Sequence, residues 1–256
     1  MKIIILFNSL MLISIALLAQ DCSDSCGPAG KESLRTNILK EELNTSPFNS
    51  IVHIVVKRIY RSTGSPSTAS FIDSNVLITA NHSLIRSPFI SDITLKMNGM
   101  SIKLKKRDFK IYHFHQGLFH KENKDIAILV LKKDVKDVLR SYSHFQLANF
   151  DLIRDTTHKF HLTGFPFDRP DTLVDKTTGY NDLKKEPSGK VVGYGLYTCK
   201  GDSGAPLWYE DNGIFKVVSI HHGKGGLPEF DCKTTNWGIK VTSEVVEWVN
   251  RKKVIH

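Results

Sequence analysis

The sequence lacks several features that would assign it to other classes of protein. Beyond the apolar run from Ile3 to Leu18, no stretch is long and apolar enough to cross a membrane. The four cysteines have no spacing typical of a zinc site, and no internal repeat is visible. Lysine and arginine outnumber acidic residues by 35 to 26, but they are scattered and do not form one basic face with groove-reading elements. We therefore expect no metal, no cofactor and no nucleic-acid partner.

The composition that is present suits a globular protein. Of 256 residues, 41% are hydrophobic and 24% are charged, which is enough apolar material to bury a core. Residues 1–20 combine Lys2, an apolar run and a small or polar end, which predicts a secretory signal peptide; an uncleaved membrane anchor is the alternative. Residues 21–50 are polar and predict an N-terminal extension or propeptide with a short helix from Glu32 to Leu43.

The four cysteines are best interpreted together with this leader. In an exported chain they predict up to two disulfides, and three pairings are open. We expect the mature protein to be secreted or periplasmic, monomeric and free of the membrane after signal cleavage.

One stretch carries the chemistry: Cys199-Lys200-Gly201-Asp202-Ser203-Gly204-Ala205-Pro206. A serine between two glycines suits a nucleophile on a tight turn, because glycine accepts positive φ and leaves room for a substrate. The same turn can aim the amides of Gly201 and Ser203 at one point, where they would form an oxyanion hole. A surface turn is the alternative for a short G-x-S-x-G string, but the longer string is much more specific.

Two further segments supply the partners that such a serine needs. An apolar run ends at His82 in Val76–His82, and Asp125 opens the apolar run that continues to Leu131. A serine hydroxyl needs a base within hydrogen-bond reach, and the base needs a buried carboxylate to fix its tautomer. We therefore predict a catalytic set of His82, Asp125 and Ser203, in that order along the chain.

Strand signals recur along most of the chain and predict an all-β fold. The clearest is a hairpin of Ile93–Met97 and Met100–Leu104, joined by Asn98-Gly99, and residues 61–68 are predicted as a loop. We predict two six-stranded antiparallel β-barrels, at about 51–133 and 148–241, followed by a helix over 243–253. In that helix Val245, Trp248 and Val249 form one apolar face, which we expect to dock on the barrels.

These motifs resemble those of the trypsin/chymotrypsin-fold serine peptidases. The segments Thr79–His82, Asp125–Leu131 and Gly201–Pro206 look like that fold's TAxH, DIAxLxL and GDSGxP. Thr163–Pro166 and Ile220–Gly223 are similar to TGYP and IHWG of the bacterial branch of V8-like glutamyl endopeptidases and exfoliative toxins. The resemblance covers residues 51 to the C-terminal helix.

The resemblance implies further residues. Tyr197 stands where trypsin-type enzymes carry an aspartate, whereas Thr198, His221 and Lys224 match the pocket for an acidic P1 residue (the one before the scissile bond). It also implies a Cys199–Cys232 bridge, which leaves Cys22 with Cys26. Asp202 matches the aspartate that a freed N-terminus pairs with in animal enzymes, but no basic cleavage site precedes Ile51, so the mode of activation stays open.

The sequence thus predicts a secreted serine endopeptidase that acts on proteins or peptides with Glu or Asp at P1. Three alternatives remain. They are an inactive homologue that serves as a secreted binding module, an esterase, and a basic surface-binding protein.

Overall fold

The computed structural model describes residues 26–27, 35–60, 63–84, 89–97, 99–114, 124–132, 143–185, 189–224 and 235–253. The predicted signal peptide, Cys22 and Cys232 lie outside these ranges. Within them, no helix has the length and apolar character needed to span a bilayer.

The segment before residue 51 contains two short strands, β1 (Cys26–Gly27) and β2 (Arg35–Asn37), and two 3₁₀ turns, Glu42–Asn44 and Phe48–Ser50. The predicted helix from Glu32 to Leu43 is therefore wrong over its described residues. β2 forms because it pairs antiparallel with a strand of the second sheet, so tertiary pairing overrides the local helical pattern.

The first sheet has seven strands, one more than predicted. They are β3 (Ile51–Arg58), β4 (Ser65–Asp73), β5 (Val76–Ala80), β6 (Ile90–Met97), β7 (Met100–Lys105), β8 (Phe109–His113) and β9 (Ile126–Leu131). The sheet is antiparallel, with its strands in the order β7-β6-β3-β4-β5-β9-β8. A one-turn helix, α1 (Asn81–Leu84), follows β5.

The predicted hairpin of this sheet is confirmed. Met97 pairs with Met100 across a two-residue turn in which Gly99 has φ of 76°, the conformation that favours glycine there. The predicted loop over residues 61–68 is wrong in its second half. Ser65 pairs with Val56, so β4 begins there although the segment is rich in serine and proline.

The strands of the second half are β10 (Gln146–Leu147), β11 (Lys159–Gly164), β12 (Val174–Gly179), β13 (Lys184–Lys185), β14 (Val191–Tyr194), β15 (Thr198–Cys199), β16 (Pro206–Asp211), β17 (Ile214–Lys224) and β18 (Asn236–Lys240). The second sheet includes β2 and has the order β13-β14-β18-β17-β16-β11-β12-β2, and β10 pairs parallel with β17. The remaining strand, β15, pairs with β1. The C-terminal helix α2 (Ser243–Lys253) has the predicted bounds.

Each sheet curls around an apolar core of its own, and a third cluster joins the two. Val245, Trp248 and Val249 of α2 are buried in that joining cluster, as their spacing predicted. The architecture is the predicted one: mostly β, two curled antiparallel sheets and a terminal helix, as in chymotrypsin-like two-barrel proteins. The candidate site lies between the halves, at the end of β5, the start of β9 and the loop from β15 to β16.

Candidate active site

His82 and Asp125 meet because β5 and β9 are antiparallel neighbours. Ala80 pairs with Ile126, so the residues that follow β5 lie beside the residue that precedes β9. Asp125 is fully buried, and its Oδ2 lies 2.6 Å from Nδ1 of His82. Its Oδ1 accepts a hydrogen bond of 2.7 Å from the His82 backbone N–H. Two bonds thus fix both the position and the ring orientation of His82.

A second imidazole, for which the sequence predicts no role, shares the same carboxylate. Nδ1 of His222 lies 2.5 Å from Oδ2 of Asp125. The His222 ring stacks on Trp237, with centroids 4.0 Å apart and planes 17° from parallel. Its position on β17 brings it across from the first sheet, so the carboxylate joins the two halves of the molecule.

The charge on Asp125 is stabilised despite its burial. Burial by itself would raise the pKa of this carboxyl, but the hydrogen bonds from His222 and His82 outweigh it and hold the pKa well below its ordinary value. Asp125 is therefore ionised at neutral pH, as a group that orients a catalytic imidazole must be.

The His82, Asp125 and His222 side chains have the composition of a metal site, and their ligand atoms lie within 4.8 Å of one another. In a tetrahedral zinc site, ligand atoms about 2.1 Å from the metal lie roughly 3.4 Å apart. Both nitrogens here lie closer than that to the carboxylate oxygen, at 2.6 and 2.5 Å. The arrangement suits two N–H···O hydrogen bonds better than a bound metal.

Ser203 lies in the tight turn that its two glycine neighbours predict. Gly201 and Gly204 have φ of 100° and 86°. The backbone is anchored on both sides: Thr68 N–H donates to the Ser203 carbonyl oxygen at 2.8 Å, and Gly204 N–H donates to the His221 carbonyl oxygen at 2.8 Å.

Ser203 and His82 line one cleft of about 510 Å³, together with Arg58 and Lys200. The Ser203 hydroxyl donates to the His222 carbonyl oxygen at 3.4 Å. Among the described residues it makes no hydrogen bond to His82. Catalytic hydrogen bonds are often long or badly aligned before a substrate binds.

The amides of Gly201 and Ser203 are available to a ligand. The Lys200 carbonyl oxygen accepts a 2.7 Å hydrogen bond from Phe167 N–H. Because the peptide is planar and trans, the Gly201 N–H points the opposite way. Across the described ranges, neither this N–H nor that of Ser203 donates to a protein acceptor. Two unpaired donors beside a serine are what an oxyanion hole requires.

The structure describes the side chains of two of the three predicted pocket residues and only the backbone of the third. Thr198 and His221 are buried, at 5% and 1% exposure. Nδ1 of His221 lies 2.7 Å from the Tyr194 hydroxyl. Burial holds the pKa of His221 well below its ordinary value, so this imidazole is neutral at pH 7. Lys224 pairs with Asn236 through its backbone, and its side chain lies outside the described parts.

The predicted Cys199–Cys232 bridge is wrong, and so is the Cys22–Cys26 pair that it left over. Cys199 is bonded instead to Cys26, 173 residues earlier in the chain. β1 and β15 pair with Cys26 opposite Cys199, which brings the two sulfurs together. The bridge therefore ties the N-terminal segment to the loop that carries Ser203.

A mostly β fold of two curled antiparallel sheets that meet at the candidate site defines the chymotrypsin-like architecture, and comparisons with solved structures agree. The chain is similar to a Glu endopeptidase solved in complex with MPD, at 17% identity and a TM-score of 0.64 over 86% of this chain and 96% of that one. It is similar to the protease Anisep from Arthrobacter nicotinovorans, at 13% identity and a TM-score of 0.63 over 82% and 98% of the two chains. A thermostable serine protease, AL20, from an extremophilic microorganism matches at 11% identity and a TM-score of 0.62, over 81% and 98%.

Neither a protein-family model nor a curated protein matches the sequence. The structural likeness nevertheless establishes that the chain has the fold of these serine proteases.

Proposed function

We propose that this protein is a serine endopeptidase that uses Ser203 as nucleophile, His82 as base and Asp125 as the group that orients His82. The observation that carries the proposal is the pair of hydrogen bonds from His82 to the buried, ionised Asp125, in the cleft that Ser203 also lines. Ser203 attacks a peptide carbonyl, His82 takes the hydroxyl proton, and the same proton then passes to the leaving amine. Water hydrolyses the acyl-enzyme by the reverse sequence of transfers.

The oxyanion forms beside Gly201 and Ser203. Their two N–H groups donate to the oxygen as it becomes negative, and each such donor contributes roughly 3–4 kcal/mol to the transition state in comparable enzymes. The bond from Phe167 N–H to the Lys200 carbonyl keeps that carbonyl out of the hole.

We further propose a preference for Glu or Asp at P1. A hydroxyl can donate to a carboxylate, and Thr198 supplies one. A neutral imidazole has a single N–H, and His221 already has the Tyr194 hydroxyl and the Trp237 backbone as partners, so it would donate to a substrate by exchanging one of them. Tyr197, where a trypsin-type pocket would carry an aspartate, adds no negative charge that would repel an acidic side chain. The substrates would be exported or extracellular proteins and peptides, met by a secreted monomer.

The test is cleavage of paired peptides that differ only in Glu or Gln at P1, by the purified protein and by Ser203→Ala. We expect the Glu peptide to be cut faster and the alanine variant to lose at least about 10⁴-fold in kcat. The Glu and Gln side chains have nearly the same shape, so the ratio of their kcat/KM values reports recognition of charge.

Each other outcome excludes part of the proposal. Equal rates for Glu and Gln would reject the acidic pocket and leave the nucleophile. Labelling by a fluorophosphonate without cleavage of any peptide would favour an esterase. A folded protein that neither labels nor cuts would favour a secreted binding module, and salt-sensitive surface binding unchanged in Ser203→Ala would favour a basic surface-binding protein.

A further inference from the structure

Asp202, which lies between Gly201 and Ser203, is fully buried and has a buried lysine as its partner. Nζ of Lys176 lies 2.8 Å from Oδ1 of Asp202, with 1% and 0% of the two side chains exposed. The other carboxylate oxygen, Oδ2, accepts a 2.9 Å hydrogen bond from the Cys199 backbone N–H. The carboxylate is thus held at one end by the lysine and at the other by its own loop.

The conformation of the nucleophile loop depends on this arrangement. A buried charge without a partner is strongly unfavourable, so a loop that lost its cation would rearrange to bring the aspartate to water. Any such movement displaces Gly201 and Ser203, because they adjoin Asp202 in the chain. Gly164 closes the other side, since a Cβ there would lie 2.7 Å from Oδ1 of Asp202.

The N-terminal segment reinforces both partners of the ion pair. Arg35 of β2 pairs directly with Lys176 of β12, and Cys26 is bonded to Cys199 on the loop. The Arg35 guanidinium makes two hydrogen bonds to Asp168, of 2.6 and 2.9 Å, and lies 4.9 Å from the centroid of the Tyr197 ring. Residues 26–27 and 35–37 therefore hold the strand that carries the lysine and the loop that carries the serine.

No new N-terminus is needed near residue 51 in this arrangement. Ile51 is already the first residue of β3, where it pairs with Ser70, and it is 2% exposed. The carboxylate that a freed N-terminus would neutralise already has a cation.

We propose that Lys176 is a positioning residue that holds Asp202 and thereby assembles the oxyanion hole in the uncut chain, and that the N-terminal segment stays in place as part of the same support. This inference rests on the proposed peptidase function and adds its mode of activation. It predicts that the enzyme is active without removal of residues 21–50.

The first test compares Lys176→Met, Lys176→Arg and the double variant Lys176→Met/Asp202→Asn with the unchanged chain. The matched control is Lys240→Met, since Lys240 is also buried in the second sheet and pairs with Asp151. We expect Lys176→Met to lower kcat by about 10²–10³-fold, the loss that follows removal of one oxyanion donor, with little change in KM. Lys176→Arg should recover part of kcat, and Lys240→Met should leave it unchanged.

The double variant keeps the test decisive if Lys176→Met does not fold, because it leaves no buried unpaired charge. A double variant that folds and has a reduced kcat supports the proposal. Unchanged kcat in either Lys176→Met or the double variant overturns it, and so does a rise in KM alone.

The second test places a site for a specific protease between Lys40 and Glu41, which are both exposed. After the cut, residues 26–40 stay attached through the Cys26–Cys199 bridge, and we expect activity to be retained. The same cut in Cys26→Ser/Cys199→Ser should let the segment leave and should lower kcat. Activity that appears only after the segment has left would overturn the proposal. An uncut and a cut chain that are both unreactive towards a fluorophosphonate would instead refute the peptidase function itself.

Discussion

His222→Phe isolates the second hydrogen bond to Asp125. Phenylalanine keeps an aromatic ring over Trp237, where the His222 ring now stacks at 4.0 Å, but it removes the donor to Oδ2 of Asp125. A hydrogen bond to a charged group contributes about 1.5–3 kcal/mol, so we expect the free energy of unfolding to fall by that amount. The loss falls in this range because Asp125 is fully buried and keeps both of its bonds from His82.

The expected effect on catalysis is smaller. Because both hydrogen bonds from His82 to Asp125 remain, the proposed base keeps its tautomer, and we expect kcat to fall by about tenfold or less with KM unchanged. Asp125→Asn, which gives the wrong tautomer, should cost about 10⁴-fold. Urea unfolding measures the stability, and initial rates on a peptide with Glu at P1 measure kcat and KM.

His222→Asn is the matched variant, since the Asn Nδ2 can take the place of the His Nδ1 while the ring is lost. It should keep the bond to Asp125 and lose about 0.5–1.5 kcal/mol of aromatic packing on Trp237. If the phenylalanine variant were as stable as the unchanged chain and the asparagine variant less stable, the hydrogen bond would carry none of the stability. A loss of kcat as large as in Asp125→Asn would mean that His222 acts on the reaction directly.

Three further predictions follow from particular contacts. Gly204→Ala should lower the free energy of unfolding in urea by about 3 kcal/mol or more. Gly204 has positive φ, and a Cβ there would lie 2.1 Å from Oγ1 of the buried Thr79. Gly213→Ala is the control, since Gly213 also has positive φ but its Cβ would have nothing within 4 Å, and it should lower that free energy by only about 1–2 kcal/mol. Burial keeps the pKa of His221 low, so at acidic pH this histidine is protonated in the unfolded chain but not in the folded chain. The free energy of unfolding should therefore decrease as the pH falls below about 6.5, by up to about 1.4 kcal/mol per pH unit. The contribution of His221 to this pH dependence should be absent in His221→Asn. Arg35→Met should lower the free energy of unfolding by about 1–3 kcal/mol and no more. The loss is limited because Asp168, with 31% of its side chain exposed, can be hydrated once the arginine is gone. A variant as stable as the unchanged chain would contradict the proposal that β2 supports the second sheet.

Local pattern was enough to predict the elements that bury an apolar face. The turn of Asn98-Gly99 has a turn residue that favours a hairpin, and the segment 243–253 has a helical period. The apolar run from Ile126 to Leu131 has no period, but its short length favours a buried strand. The short helix from Glu32 to Leu43 failed for the opposite reason. Residues 35–37 of the predicted span pair with β12, so a contact with a distant strand outweighed the local helical pattern.

Pairings between distant residues had no such signal. Four cysteines allow three pairings, and nothing near Cys26 marks it as the partner of a residue 173 positions away. The resemblance to enzymes that bridge the cysteine before the nucleophile to one about thirty residues on favoured Cys232, whereas in this chain the strand pair β1–β15 brings Cys26 to Cys199.

Strand alternation could have separated the two neighbouring histidines. Successive side chains of a regular strand point to opposite faces, which predicts different surroundings for His221 and His222. The two residues do have different partners, Tyr194 and Asp125, although the register of β17 against β18 shifts between His221 and Gly223. Alternation does not predict which face of β17 contacts Asp125, because that depends on how the two sheets pack.

Lys176 shows where sequence reasoning stops for physical reasons. The polar stretch from Phe165 to Pro187 indicates loops around an irregular strand, and a lysine in it would ordinarily be exposed. Its burial follows from Asp202, 26 residues further on, which needs a cation once the surrounding fold removes it from water. Any of the 35 lysines and arginines could have met that need. The position of β12 beside the loop that carries Ser203 selects Lys176, and β12 is also the strand with which β2 pairs.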